Sequence, residues 1–199
     1  MKIITISRQF GSGGRELGKR LADLLGCDYY DKEILEKIAE NKKLDKDYVE
    51  KSLTSVSLKN IPVSFGRTII TSYSNVSTDL MIEERRIIEE IATQGKDFII
   101  VGRNADIILE KYNPFNIFVC ASMDARIDRC LSHLRDDEKN DRKAMEKSIK
   151  KIDKERVRTR TIVTEREWGE PSSYHMVVNT TDKNIKFLSL FVANSIKEL

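Results

Sequence analysis

The stretch Ile3-Ile4-Thr5-Ile6-Ser7-Arg8-Gln9-Phe10-Gly11-Ser12-Gly13-Gly14-Arg15-Glu16-Leu17-Gly18-Lys19-Arg20-Leu21 decides the fold. A β-branched apolar run empties into a glycine-dense turn, and the turn opens a segment with Leu17, Leu21, Leu24 and Leu25 at helical spacing. The order is strand, loop, helix. The glycines at 11, 13 and 14 let the backbone take conformations with positive φ and leave amide groups unobstructed by side chains. At a helix N-terminus such amides, together with the helix dipole, favour an anion such as phosphate. Arg8 and Arg15 flank the turn with charge of the right sign.

Two glycine-rich phosphate motifs can be laid on this turn, and neither fits strictly. In G-x-x-x-x-G-K-[ST], with the last glycine on Gly13, Gly14 takes the lysine's place and Arg15 the hydroxyl's. In the dinucleotide fingerprint, Gly11-Ser12-Gly13-Gly14-Arg15-Glu16 ends on glutamate where Gly or Ala is expected, although Asp31 lies near the distance of a ribose-binding acid. A dinucleotide-dependent oxidoreductase is therefore a remote alternative.

Outward from the loop, Gly26 reads as a helix C′ residue, Cys27 to Tyr30 as a short extended piece, and Asp31 as the N-cap of a helix with Ile34, Leu35 and Ile38 inward. From Asn41 to about Thr78 the periodicity fades, with one modest helix through Leu44, Tyr48, Val49 and Leu53, as expected of an insertion packed on a core. Leu80, Ile87, Ile88, Ile91 and Ala92 mark a further helix ending near Gln94-Gly95. Phe98 to Val101 and Ile117 to Cys120 are continuous apolar runs suited to strands covered on both faces. Ser122 caps a helix through Ile127, Cys130, Leu131 and Leu134. Residues 135 to 167 are densely charged, with a weak stripe through Met145, Ile149 and Ile152, and read as a solvated helical pair or flap. Met176 to Asn179 is a last strand, and Asp182 caps a terminal helix with Ile185, Leu188, Val192, Ile196 and Leu199 inward. Buried strands joined by helices specify an open, mostly parallel sheet, with ligands gathering beyond the carboxyl ends of its strands. The ends at Gly11, Arg103 and Asn179 all fall on that edge.

Composition sets the bounds. At 199 residues the chain fits one domain with insertions. Its 35 basic and 32 acidic residues are interspersed for a net charge of +3, which gives nucleic-acid binding no support. No run reaches the length of a membrane span, and the start reads as a strand, not a leader. Cys27, Cys120 and Cys130 lack metal-ligand spacing and read as reduced core thiols of a cytoplasmic protein. His133 and His175 belong to no recognisable constellation. The chain instead offers arginine, at strand ends and along the charged flap, and phosphoryl transfer needs positioning and positive charge without a protein nucleophile.

The run Ile4-Thr5-Ile6-Ser7 into Gly11 to Gly18, Tyr30-Asp31-Lys32-Glu33, Val101-Gly102-Arg103, Asp153-Lys154-Glu155-Arg156 and Trp168-Gly169 together resemble the cytidylate kinase-like family over nearly the whole chain. The resemblance implies a three-layer P-loop kinase-like α/β fold, a mostly parallel sheet flanked by helices. It also implies a core of residues 1–30, 85–135 and 168–199, a helical monophosphate-binding insertion over about 31–84 and a helical lid over about 136–167. ATP with Mg²⁺ would be the cofactors, and small nucleotides the ligands.

Carried over by position, the resemblance assigns ATP and phosphate binding to Arg8, Gly11, Ser12, Gly13, Gly14, Arg15 and Glu16. Arg15, or Lys19 one turn further, is the candidate for the missing lysine. It assigns acceptor contacts to Asp31, Arg103, Arg129, Asp153 and Arg156, the acid of Asp-x-x-Arg meeting a base amino group, catalytic roles to Arg15, Arg156 and Arg160, and closure of the lid over the transferred group to Arg158 and Arg160. Trp168 would wedge the lid base against the core. The expected activity is transfer of the ATP γ-phosphoryl to a CMP- or dCMP-like monophosphate or a related phosphorylated acceptor. Because Gly14 departs from the pattern, the alternative is a nucleotide-binding sensor that has lost transfer activity.

Overall fold

The computed structural model describes residues 1–49, 73–133 and 141–198, with residues 73–77 as backbone only. Among the described residues five parallel strands form one sheet: β1 (Ile3–Arg8), β2 (Asp28–Tyr30), β3 (Phe98–Val101), β4 (Phe115–Cys120) and β5 (Met176–Asn179), in the order β2-β3-β1-β4-β5. The α-helices whose bounds fall among the described residues are α1 (Gly14–Leu25), α2 (Glu33–Lys42), α3 (Tyr73–Thr93), α4 (Ala105–Ile108), α5 (Met123–Leu131), α6 (Arg142–Val163) and α7 (Ile185–Lys197).

Period-two alternation along β1 splits the core. Ile3 faces a cluster with Ile34, Leu35 and Ile38 of α2, Leu80, Ile87 and Ile88 of α3, and Ala105 and Ile108 of α4. Ile4 and Ile6 face Leu17 and Leu21 of α1 and Ile185, Val192 and Ile196 of α7. Helices on both faces make the three layers, and explain why β3 is apolar without interruption and why β1 is buried from Ile3 to Ser7 on both of its faces. Each fully buried Leu or Ile here contributes roughly 1.5–3 kcal/mol. Gly18 lets α1 approach the sheet: a Cβ there would lie 3.0 Å from Val101 Cγ2 and 3.1 Å from Ile6 Cδ1. Leu24, expected on the inner stripe, is exposed, because 17, 21 and 25 already define the face turned to the sheet.

β1 lies at the centre, in register with Val101 through Ile6 and with Val119 through Arg8. The connection after β1 leads to one side of the sheet and the connection after β4 to the other, so the glycine loop sits at the topological switch point. Several local expectations change. Lys32, not Asp31, occupies the N-cap of α2, and Asn184, whose side chain accepts from Lys186 N, caps α7 in place of Asp182. Ser122 caps α5 as expected, accepting from Ala125 N at 3.3 Å. The charged segment is one 22-residue helix over its described part, not a pair. The three cysteines are free and half-buried, less enclosed than core thiols. Leu53, Leu134 and Leu199 lie outside the described residues. Among the described residues no helix is long and apolar enough to cross a membrane.

Candidate functional site

Side-chain donors hold the loop after β1 by its carbonyls. Arg156 Nη1 donates to Arg8 O at 2.8 Å, Arg126 Nε to Phe10 O at 2.7 Å, Arg129 Nη1 to Gly11 O at 2.8 Å and Thr180 Oγ1 to Ser12 O at 2.7 Å. The Gln9 amide closes on Val119 O at 2.9 Å, its side chain accepts from Ala121 N, and the buried Ser12 hydroxyl donates to Gln9 O at 2.8 Å. With the carbonyls drawn outward, the amides that open α1 are left over. Gly13 takes φ 79° with no side-chain cap. Among the described residues no protein acceptor meets the amides of Gly13, Gly14 or Arg15. This is the open helix terminus at which anions bind.

Charge converges beside it. The Arg8 side chain, 14% exposed, lies 3.9 Å from Asp31 through Nη2 to Oδ1. Arg15 Nε forms an ion pair with the same carboxylate. Arg103, two residues beyond β3, pairs with Glu84 of α3 at 3.5 Å, both side chains nearly buried. Arg156 reaches in from α6. These guanidiniums sense one another: burial first, then Arg156, pushes Arg8 down to about 9, with Arg103 and Arg15 adding to the effect. Burial, with Arg15 and Arg103, pushes Arg156 down to about 10 against the pull of Asp153. A guanidinium keeps its proton near neutrality, so such crowding appears as attraction for an anion. Burial also pushes the Glu84 carboxyl up, against the pull of Arg103.

The turn carrying Arg103 is strained. Gly102, Arg103 and Asn104 follow one another at φ 79°, 60° and 48°. Glycine enters that region freely and asparagine tolerates it, whereas Arg103 loses roughly 1–2 kcal/mol there. Strain of this kind collects at functional sites.

The structure thus brings Arg8, Gly11, Ser12, Gly13, Gly14, Arg15, Asp31, Arg103 and Arg156 to one sheet edge and sets other candidates apart. Glu16 is exposed and pairs with Arg20 at 2.8 Å. Arg129, read as an acceptor contact, instead ties the loop to the end of β5 through Gly11 O and Thr180 O. Asp153, read as meeting a base, accepts from Phe10 N at 2.8 Å and pairs with Arg126 and Arg156, so it is a strut of the loop. Arg160, read as closing over the transferred group, is turned inward: it is 1% exposed and bonded to the 3% exposed Asp106 at 2.6 Å. Arg158 pairs with Glu155 at 3.2 Å. Trp168 stands edge-on to Phe118 of β4, with ring centroids 5.2 Å apart.

Arg126 and Glu84 were missed, and both carried a signal. Arg126 stands three positions before Arg129 on one helix face, and Glu84 interrupts the apolar stripe Leu80, Ile87, Ile88, Ile91 at a core position. A charged residue in a buried stripe requires a partner.

The family model described as the cytidylate kinase-like family matches residues 3–182. No curated protein sequence matches the chain. An uncharacterized protein from Eubacterium ventriosum has a similar structure, with a TM-score of 0.73 at 23% identity over 100% of both chains. Shikimate kinase from Bacteroides thetaiotaomicron has a TM-score of 0.57 at 16% identity, covering 100% of this chain and 99% of its own. Shikimate kinase from Acinetobacter baumannii in complex with shikimate gives 0.54 at 12% identity, covering 100% and 94%. At these identities the likeness establishes the kinase-like α/β fold.

Proposed function

Because this chain belongs to the cytidylate kinase-like family, we propose that it transfers the γ-phosphoryl of ATP to a nucleoside monophosphate, CMP- or dCMP-like, or to a related small phosphorylated acceptor. A phosphotransferase in general is what family and fold support. The observation that carries the finer reading is the convergence of Arg8, Arg15, Arg103 and Arg156, from four separate segments, beside amides without acceptors. The amides of Gly13, Gly14 and Arg15 hold the donor polyphosphate. Arg103 takes the acceptor's phosphate, and Arg8 and Arg156 lie between the two. Asp31 orients Arg15. Residues 31–84 form the acceptor-binding insertion and 136–167 the lid around the core of 1–30, 85–135 and 168–199.

Chemically, an acceptor oxygen forms its bond to the γ-phosphorus as the bond from that phosphorus to the bridging oxygen breaks. The guanidiniums neutralise the oxygens that hold charge at that moment, beside a loop already fixed by its struts. Asp31 and Asp153, the carboxylates beside the loop, are engaged by arginines, and the Ser12 hydroxyl is turned to Gln9 O. This donor set fits magnesium only as an ion carried by the nucleotide, with phosphate oxygens and water completing its shell, where it would neutralise phosphate charge.

The test is incubation of the purified protein with ATP, magnesium and a panel of CMP, dCMP, UMP, AMP and non-nucleotide phosphate esters, with diphosphate product resolved by ion exchange. Diphosphate from one or two acceptors supports transfer. Tight ATP binding with no product from any acceptor favours the second reading, a nucleotide sensor, to which Gly14 in the lysine's place points. Thermal stabilisation by NAD but not by ATP would sink both.

A further inference from the structure

Laid on this chain with its last glycine at Gly13, the pattern G-x-x-x-x-G-K-[ST] begins with glycine at position 8 and has lysine at 14. The chain has Arg8 and Gly14, the reverse assignment of bulk and charge. The geometry ties the two departures together. A Cβ on Gly14 would lie 2.6 Å from Arg8 Cβ and 3.0 Å from Arg8 Cγ, so the stem of Arg8 fills the space where a residue-14 side chain would begin. The stem then carries the guanidinium over Gly102, where an added Cβ would overlap Arg8 Nη1, and leaves Nη2 3.9 Å from Asp31 Oδ1. The charged head therefore lies between the open amides of the loop and the turn that carries Arg103.

We propose that Arg8 delivers, from the end of β1, the positive charge that lysine delivers from the first helical turn in strict phosphate loops, and that residue 14 is glycine because the stem of Arg8 takes its side-chain space. The identity of the ligand rests on the phosphotransfer reading. The two substitutes that the sequence offered are placed less well: Arg15 is 51% exposed and drawn onto Asp31, and Lys19 is exposed one turn further on. Arg8 is nearly buried, its neighbours Arg103 and Arg156 are positive, and its planar head can grip two oxygens of one phosphate. Arg8 is the catalytic residue of this site in the strict sense, touching the transferred phosphoryl.

The test is a cycle of wild type, Arg8→Gly, Gly14→Lys and the double variant, with Arg8→Met added because it keeps the stem over Gly14 and removes only the charge. Melting temperature and affinity for inorganic triphosphate are measured for each. Gly14→Lys alone should lower the melting temperature, and the double variant should recover at least half of the loss. Arg8→Met should stay folded yet bind triphosphate roughly 10- to 100-fold more weakly, the loss expected for one charge-assisted contact. The double variant, with its charge restored at position 14, should regain most of that affinity. Purely additive thermal effects, or Arg8→Met binding triphosphate as tightly as wild type, would overturn the inference while leaving phosphotransfer standing. A wild-type protein that binds no triphosphate would overturn both.

Discussion

Removing Arg160 should damage stability far more than chemistry. Its guanidinium is 1% exposed and meets the 3% exposed Asp106 at 2.6 Å, while Nε donates to Arg166 O at 3.3 Å. The pair joins α6 to α4, so the helix that carries Arg156 is bolted to the core at its far end. Arg160→Met would leave the Asp106 carboxylate buried without its counter-ion, a change that costs about 3–5 kcal/mol. At about 2–4 °C per kcal/mol for a domain of this size, the melting temperature should fall by roughly 6–20 °C. Asp106→Leu should do similar harm by stranding the guanidinium. The double variant Arg160→Met/Asp106→Leu should recover most of the loss, since Asp106 Oδ1 and Arg160 Nη2 find no hydrogen-bond partner among the described residues even in the intact pair, and an apolar pair has no such deficit. Scanning calorimetry on the four proteins gives the cycle. Phosphoryl-transfer rates per folded molecule, taken well below every transition, should stay within about threefold of wild type. An unchanged melting temperature for Arg160→Met, or a hundredfold rate loss in fully folded protein, would refute the assignment and return Arg160 to the reacting group.

Gly13→Ala should destabilise by roughly 1–3 kcal/mol, because φ 79° is unfavourable for alanine and the added methyl overlaps Ile185 Cδ1; pairing it with Ile185→Ala in urea titrations should relieve only the packing part. Glu83 accepts from Arg86 and Asn41, which hold its carboxyl down to about 2. A group whose folded value is depressed stabilises above its ordinary value near 4.5 and loses that contribution as pH falls toward 2. Wild type should therefore lose melting temperature from about pH 5 to pH 2 more steeply than Glu83→Gln, and parallel curves would contradict the pairing. Inorganic phosphate at a hundredfold its dissociation constant should stabilise by about 2.7 kcal/mol, and Arg103→Gln should reduce the shift seen in thermal melts.

How much of this was legible depends on the range of the forces involved. Strand periodicity and the order strand, loop, helix are local, and they placed β1, β3, β5, α1 and the switch-point loop from residues alone. Chemistry of the arginines was legible too, but their partners were not. Arg129 and Arg156 look alike in sequence, both basic residues in charged helices. One is taken by Gly11 O across the loop, and the other joins the cluster. Pairings such as Arg160 with Asp106 or Asp153 with Phe10 N span 54 and 143 positions, and no spacing rule reaches so far. Asp31 illustrates the competition: its side chain could cap α2 locally, yet two arginines claim it, and the cap is left without a side-chain bond.

Those long pairings bear on how a loop without its lysine could still work. A lysine on the first helical turn can swing, so its charge follows the ligand. Here the charge sits on side chains already held by partners: Arg8 by Asp31, Arg156 by Arg8 O and Asp153, Arg103 by Glu84. Fixed charges stabilise a transition state without reorganising, but they cannot follow a misplaced ligand. On this reading the site should tolerate little change in the length of the polyphosphate it holds. Inorganic triphosphate should then bind at least tenfold more tightly than diphosphate by calorimetry, while equal affinities would mean that the guanidiniums form a general anion sink instead of a fitted cradle.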